Sequence, residues 1–260
     1  MPENYLVRDW NAPIDALVVG ATGGIGLALV RHLLAHEQVS RLFAVARAAS
    51  RHPELMALAS QHPGRLFPLD CDIREEVQLA ELASAIGSVV EHLHLVINSA
   101  GMLHQGAQTP EKSLAGITLA NLQSAFAINA FAPILLAKAL LPLLRHGGPA
   151  VFASLSARVG SISDNRTGGW YAYRAAKAAQ NQLLKTLALE LTRLNRRSIV
   201  LALHPGTTDT ALSKPFQANV ADGKLFTPEF SAAALLQVIA QRVPADSGSF
   251  HAWDGAPIGW

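Results

Sequence analysis

The chain has 260 residues, half of them hydrophobic, and its 21 basic and 19 acidic residues leave a formal net charge of only +2. A chain of this length can bury one large core, so we expect a single domain over residues 1–260. The charge is nearly balanced and forms no basic run, which argues against nucleic acid as a partner. The single cysteine, Cys71, excludes an internal disulfide framework and a multi-cysteine zinc site.

Short apolar or β-branched runs alternate with longer helical patterns along the whole chain. The predicted strands are Asp15–Val19, Arg41–Val45, Arg65–Pro68, Leu93–Asn98, Ala150–Ser154, Ser198–Leu203 and Ser249–Trp253. The predicted helices are Ile25–Ala35, Pro53–Ser60, Glu75–Glu91, Leu119–Leu144, Tyr171–Leu194 and Pro228–Val243. This alternation indicates an α/β fold of the Rossmann type, with a doubly wound, seven-stranded parallel sheet.

The first predicted strand runs into a glycine-rich turn that opens the first helix, Gly20-Ala21-Thr22-Gly23-Gly24-Ile25-Gly26. Glycines allow a tight turn and let backbone N–H groups approach a pyrophosphate at the helix N-terminus. The spacing through Gly24 fits shorter reductases, and the spacing through Gly23 fits longer enzymes that modify sugar nucleotides. The turn alone does not decide between them, but only about 50 residues follow Pro205, too few for the added domain of the longer enzymes.

The second predicted strand ends without the acidic residue that holds the ribose 2′-OH in NAD-binding units. No Asp or Glu occurs between Gln38 and Pro53, and Arg47 stands close to the position of that acid. A guanidinium matches a phosphate dianion well. The sequence therefore predicts NADP(H) in preference to NAD(H).

The longest apolar stretch, Ala130–Leu144, is interrupted by Pro133, Lys138 and Pro142, so it does not predict a membrane span. The first residues are polar and lack the pattern of a signal peptide. We therefore expect a cytoplasmic protein without a membrane partner.

Tyr173 and Lys177 lie one turn apart on one face of a predicted helix. A phenol with an ordinary pKa of about 10 is a poor proton shuttle at neutral pH, whereas a neighbouring ammonium favours the phenolate. The pair therefore predicts a general acid–base, Tyr173, assisted by Lys177. Tyr171 is the alternative, but its i+4 position is Ala175 and offers no cation.

The segment His204–Phe226 is the longest irregular stretch between predicted elements, and it leaves the carboxyl end of a strand. Ligands of such sheets bind at that edge, and long loops in compact domains are usually functional. We therefore predict a substrate lid around residues 204–226.

Taken in chain order, the motifs resemble the short-chain dehydrogenase/reductase family: Gly20–Gly26, Asn98-Ser99-Ala100-Gly101, Asn129, a serine-rich strand end, Tyr173/Lys177 and Pro205-Gly206. The likeness covers nearly the whole chain, and Ser156–Lys177 is most similar to the C-factor-like and Sniffer-like carbonyl reductase branch. The resemblance implies an NADPH-dependent carbonyl reductase that assembles as a homodimer or homotetramer. It also leaves an alternative, an NADP-binding signalling or sensor protein with little turnover.

The same resemblance implies roles for single residues. Tyr173 would protonate a carbonyl oxygen, Lys177 would also bind the nicotinamide ribose, and Asn129 would hold a water of the proton relay. Ser156 would orient the substrate oxygen, with Ser154 as the alternative. The other cofactor contacts would be Gly20, Thr22, Gly23, Gly24, Ile25, Gly26, Arg47, Asp72 (or Asp70), Ile73, Asn98, Ala100, Gly101, Pro205, Gly206, Thr207 and Thr210. No metal is expected, because the ten histidines form no ligand pattern.

Overall fold

The computed structural model describes residues 5–8, 10–104, 109–221 and 223–260, and of Asn219 it describes the backbone only. The strands are β1 (Ile14–Val19), β2 (Val39–Ala46), β3 (Leu66–Asp70), β4 (Leu95–Asn98), β5 (Ala150–Leu155), β6 (Ser198–His204), β7 (Thr207–Thr208), β8 (Leu225–Phe226) and β9 (Ser249–Ala252). Seven of them form one parallel sheet in the order β3-β2-β1-β4-β5-β6-β9, and β7 pairs with β8 separately. The predicted doubly wound, seven-stranded parallel sheet is confirmed.

The helices are α1 (Gly24–Ala35), α2 (Pro53–Gln61), α3 (Glu76–Gly87), α4 (Leu119–Phe126), α5 (Ala132–Leu144), α6 (Tyr171–Leu194) and α7 (Pro228–Ala240). A π-helical segment, Ala127–Phe131, joins α4 to α5 in one continuous run where a single helix was predicted. Such segments are rare and often occur at functional sites. The end of α3 at Gly87 is four residues earlier than predicted, since glycine is a poor helix former.

Each face of the sheet carries its own apolar core. In β1, Ala16 and Val18 join the core covered by α1, α2 and α7, whereas Leu17 and Val19 join the core covered by α3, α5 and α6. A parallel strand buried on both faces is apolar throughout. The exception is Asp15, whose carboxylate is paired with Arg41 Nε at 2.8 Å.

Judged by length and composition alone, the run Leu119–Leu144 could cross a membrane, and no other helix in the described ranges qualifies. Half of its most apolar stretch is buried inside the protein, and α5 packs Leu136 and Leu140 into one of the two cores. The core helix of a soluble protein passes the same test. The lack of a membrane partner stays a prediction.

The fold gathers four connections at the carboxyl edge of the sheet, where β1, β4, β5 and β6 end. The last of them, the predicted lid 204–226, is more regular than expected, although residue 222 lies outside the described residues. Its two ends are joined by the β7–β8 pair, and Lys214–Asn219 forms 3₁₀ turns between them.

Candidate active site

The glycine turn between β1 and α1 is shaped to receive an anion. Gly20 adopts φ +80°. The N–H groups of Gly20 and Ala21 both donate hydrogen bonds to the carbonyl oxygen of Val45, at 2.9 and 3.1 Å. A Cβ on Gly26 would overlap the carbonyl oxygen of Gly20. α1 starts without a side-chain cap or an acidic residue in its first turn, so its N–H groups and positive dipole end remain available. These residues fit the pyrophosphate of a dinucleotide.

The segment after β4 lies against this turn. Asn98 is fully buried, and its amide donates to Ser154 Oγ at 2.9 Å. Ser99 Oγ donates to the carbonyl oxygen of Val19 at 2.6 Å. A Cβ on Gly20 would lie 2.8 Å from Ser99 Oγ, so the two segments are in direct contact.

Charged side chains gather where β2 and β3 end. Arg47 is exposed just after β2. Hydrogen bonds from Arg74 lower the pKa of Asp72, and the charge of Arg47 adds to the shift. The carboxylate of Asp70 accepts from Ser50 N–H at 2.8 Å and from Ser50 Oγ at 2.6 Å. Both carboxylates are thus engaged by neighbours, and the contact of Asp72 (or Asp70) with adenine stays a prediction.

The two residues predicted to carry the proton transfer lie together on α6. Lys177 has only 3% of its surface exposed, and Tyr173 is partly buried. Lys177 Nζ donates to the carbonyl oxygen of Leu155 at 2.8 Å and to Gln180 Oε1 at 2.9 Å, and it lies 5.8 Å from the centre of the Tyr173 ring. The ammonium therefore stands beside the phenol while it ties the end of β5 to α6.

Burial governs the protonation of this pair. It raises the pKa of Tyr173 above its ordinary value and lowers the pKa of Lys177 to about 7, because neither charged form is well solvated there. Burial thus acts against the predicted effect of the ammonium on the phenol, and that effect stays a prediction. At neutral pH the phenol therefore keeps its proton, which is the form that a general acid must have.

Asn129 lies in the π-helical segment and is fully buried. Its side-chain amide pairs with Met102, accepting from the N–H at 3.0 Å and donating to the carbonyl oxygen at 2.8 Å. Gly101 lies between Asn129 and Lys177: a Cβ there would be 3.3 Å from Asn129 Oδ1 and 3.8 Å from Lys177 Nζ. The structure brings these three residues together, and the water relay stays a prediction.

Both candidate serines are buried at the end of β5. Ser154 Oγ accepts from Gln180 Nε2 at 2.8 Å as well as from Asn98. Ser156 Oγ donates to Asn181 Oδ1 at 2.7 Å. The contact of Ser156 with substrate stays a prediction, and the hydroxyl would have to leave Asn181 to make it.

With Ser156 bonded to Asn181, we expect Ser156→Ala to lower kcat/KM for carbonyl reduction by less than about tenfold. The variant should also lose about 1–2 kcal/mol of the free energy of unfolding, because the hydrogen bond that it removes lies within the protein. Asn181→Ala should match it, and the double variant should lose less stability than the sum of the two. Denaturant unfolding and steady-state kinetics measure these effects. A fall in kcat near a hundredfold in Ser156→Ala alone would assign the hydroxyl to the substrate instead.

The start of the lid covers the same edge of the sheet. Gly206 adopts φ +76°, and a Cβ there would collide with the ring of Phe226. A Cβ on Gly24 would lie 2.9 Å from the methyl group of Thr210, so the lid reaches the glycine turn. Thr207 is exposed between these contacts.

A cleft opens beside Tyr173. Its lining is Met102, Leu103, His104, Thr109, Pro110, Glu111, Asn121, Ala125, Ala172 and Tyr173. His104 Nε2 lies 3.3 Å from the carbonyl oxygen of Ala211, which links the loop after β4 to the lid. The walls combine apolar and polar side chains, and Glu111 is the acidic side chain among them.

The sequence did not predict the roles of Trp170 and Glu111. Trp170, the N-cap of α6, has φ 51° and ψ 43°, and no other described non-glycine residue has a positive φ. That conformation costs a non-glycine residue about 1–2 kcal/mol. The N–H of Trp170 donates to the carbonyl oxygen of Glu111 at 2.6 Å, and the buried Glu111 carboxylate accepts from Ala172 N–H at 3.2 Å. The pair Gly168-Gly169 before the helix was a visible signal of this left-handed start.

Histidines cluster at the opposite end of the sheet. The rings of His92 and His146 stack at 4.4 Å, and His94 lies 5.4 Å from His146. Within the described ranges, no group of three or more His, Cys, Asp or Glu side chains is arranged to hold a metal ion.

The comparison with known proteins agrees with this geometry. The family model for short chain dehydrogenases matches residues 15–221. The fold is similar to the carbonyl reductase Sniffer of D. melanogaster, with a TM-score of 0.84 and 28% identity, covering 95% of this chain and 100% of that one. It is also similar to an NADPH-bound carbonyl reductase from chicken fatty liver, with a TM-score of 0.85 and 29% identity, covering 96% and 95% of the two chains. The C-signal protein of Myxococcus xanthus is 32% identical over 148 residues, 57% of this chain and 84% of that protein.

The matched range runs from β1 into the lid, so it includes the glycine turn, Tyr173 and Lys177. The relatives fall in the branch that Ser156–Lys177 resembles. The chain belongs to the short-chain dehydrogenase/reductase family, and it is an oxidoreductase of the carbonyl reductase type.

Proposed function

We propose that the chain is an NADPH-dependent carbonyl reductase in which Tyr173 is the general acid. The observation that carries this proposal is the convergence of Tyr173, Lys177, Gly101 and Asn129 beside a cleft at the carboxyl edge of the sheet. The two structural relatives described above are both carbonyl reductases.

The reaction would convert a carbonyl and NADPH into an alcohol and NADP⁺, with the hydride supplied by the bound cofactor. Tyr173 would donate its phenolic proton to the carbonyl oxygen, and Lys177 would hold positive charge close to the phenol. The opposite direction requires Tyr173 to lose its proton first, which burial opposes.

The cofactor would lie along the carboxyl edge of the sheet. The turn Gly20–Gly26 would bind its pyrophosphate, and Asp72 with Ile73 would contact the adenine. The segment Asn98–Gly101 would form the floor, and Pro205–Thr210 would cover the nicotinamide.

Turnover of a panel of aldehydes and ketones with NADPH and with NADH tests the proposal. We expect one alcohol formed for each NADPH oxidised, and slower turnover with NADH. No turnover of any member with either cofactor would contradict it.

Arg47→Ala should reduce the ratio of kcat/KM with NADPH to that with NADH by about 10- to 100-fold, because it removes the guanidinium expected to bind the 2′-phosphate. The loss should fall on the KM for NADPH, with the NADH constants almost unchanged. Arg196→Ala, an exposed arginine next to the start of β6, is the control. An unchanged ratio in Arg47→Ala would contradict the assignment of NADP(H).

A second candidate is an NADP-binding signalling or sensor protein, which the similarity to C-signal favours. It predicts tight NADPH binding without carbonyl turnover in the panel experiment. The Tyr173/Lys177 pair favours the enzyme, since binding alone does not require a proton donor.

We propose that the protein acts in the cytoplasm on a small carbonyl or alcohol, without a nucleic-acid or membrane partner, and as a homodimer or homotetramer. Large apolar side chains are exposed on the α4–α6 side, including Leu119 (69%), Phe131 (50%) and Leu189 (58%). Such surface favours contact with a second copy of the chain. Light scattering of the purified protein measures its assembly.

A further inference from the structure

Trp170 is held in a backbone conformation that points to a role beyond packing. The residues Gly168, Gly169 and Trp170 are all left-handed, with φ of 63°, 67° and 51°. Two glycines adopt this conformation freely, but tryptophan does not. Backbone strain of this kind collects at functional sites, and it persists only where neighbours enforce it. Here the 2.6 Å hydrogen bond to the carbonyl oxygen of Glu111 does so.

The strained backbone places the indole against Tyr173. The two rings meet edge to face, with centres 6.3 Å apart and planes at 71°. The indole also meets Phe216 of the lid at 5.1 Å and 61°. Phe216 in turn lies 6.0 Å from His104, which contacts Ala211 of the lid. We call this group of three rings the aromatic wall: Trp170, Phe216 and His104.

The aromatic wall joins three separate segments: the start of α6, the lid and the loop after β4. Aromatic rings favour other rings in offset or edge-to-face contact, beyond the area that they bury. A flat ring attached to a carbonyl held by Tyr173 would find the indole of Trp170 beside it, because the centres of these two rings lie 6.3 Å apart. An aliphatic ring of the same size would only bury area there.

Glu111 adds a charge requirement to the same site. Its side chain is 5% exposed, lines the cleft, and has its Oε2 fixed by Ala172 N–H at the start of α6. No Lys or Arg lines this cleft in the part of the chain that is described. A buried carboxylate repels an anion strongly, because little water screens it.

We propose that Trp170 is a specificity-determining residue, and that the substrates are uncharged carbonyl compounds that carry a flat aromatic ring. The aromatic wall binds the ring, and Glu111 excludes aryl carbonyls that bear a carboxylate. This inference rests on the proposed carbonyl reductase function.

Acetophenone and cyclohexyl methyl ketone form a matched pair of substrates with the same carbon number, one flat and aromatic and the other not. The wild type should favour acetophenone in kcat/KM. Trp170→Asn, which tolerates the left-handed conformation, should reduce that preference by about tenfold through KM, whereas Trp170→Phe should keep it within about threefold. Thermal melting checks that each variant is folded. An unchanged preference in folded Trp170→Asn overturns the role of Trp170.

Calorimetric binding of the two ketones in the presence of NADP⁺ separates this inference from the proposed function. If the wild type reduces no carbonyl, the proposed function fails, and the aromatic wall is still judged by binding. Tighter binding of acetophenone that is lost in Trp170→Asn supports it. Equal binding of the two ketones by the wild type overturns it.

The charge requirement has its own substitution. Glu111→Gln retains an oxygen for Ala172 N–H but removes the negative charge. It should raise kcat/KM for 4-acetylbenzoate, relative to acetophenone, by about tenfold. An unchanged ratio in the folded variant would show that Glu111 does not exclude anionic substrates.

Discussion

Tyr173→Phe is expected to lower kcat/KM for carbonyl reduction by about 1,000-fold, within the range that a general acid contributes. The substitution removes one hydroxyl and keeps the ring that meets Trp170. The affinity for NADPH and the melting temperature should therefore change little. The quantities to measure are kcat and KM for a ketone of the panel, the Kd for NADPH, and the thermal midpoint.

Tyr171→Phe is the matched control, because the same hydroxyl is removed two residues away. Tyr171 begins α6, but 41% of its surface is exposed and Ala175, not a lysine, follows one turn later. Its kcat/KM should stay within about twofold of the wild type, as expected for an exposed site. If the two variants lost activity equally, or Tyr173→Phe retained full turnover, Tyr173 would not be the acid.

Gly26→Ala is expected to weaken NADPH binding by at least about 100-fold and to cost about 1–3 kcal/mol of the free energy of unfolding. The added methyl group would overlap the carbonyl oxygen of Gly20 and lie 2.8 Å from Ser99 Oγ. The backbone of Gly20 cannot yield without opening the turn that is expected to hold the pyrophosphate. Titration with NADPH and denaturant unfolding measure the two losses.

Gly147→Ala provides the comparison for this substitution. Gly147 is exposed, and no heavy atom lies within 4 Å of a Cβ built there. Stability and Kd should both stay near the wild-type values. A Gly26→Ala variant that binds NADPH within threefold of wild type would rule out the glycine turn as the pyrophosphate site.

The sequence predicted the parts of the site that depend on local pattern. Helical spacing placed Tyr173 and Lys177 on one face of α6, and the glycine turn marked the start of α1. The seven-stranded sheet followed from the alternation of strands and helices. The tyrosine–lysine pair and the glycine turn depend on residues near one another in the chain, and each strand and helix of the sheet is recognised from its own local pattern.

Contacts between segments far apart in the chain could not be predicted from the sequence. The bond between Ser156 and Asn181 joins residues that are 25 positions apart, and the contact of Glu111 with Ala172 spans 61 positions. The lowered pKa of Lys177 could not be predicted from the sequence either, because it comes from burial by the assembled fold. The sequence shows Trp170 only as a residue after two glycines. Its left-handed conformation accompanies a hydrogen bond to the distant Glu111, which the sequence does not reveal.

The π-helical segment Ala127–Phe131 sets the phase of the long helical run that contains it. A segment of this kind adds one residue to the α-helical repeat, a turn of about 100° between the faces on either side. Before it, Ala125 packs with Ala172 and Ala176 of α6, and after it, the leucines of α5 enter the core. One continuous helical run can thus pack against α6 beside the cleft and also contribute leucines to the core. Deleting one residue there would restore an ideal helix, yet it would rotate one of these faces away from its neighbours.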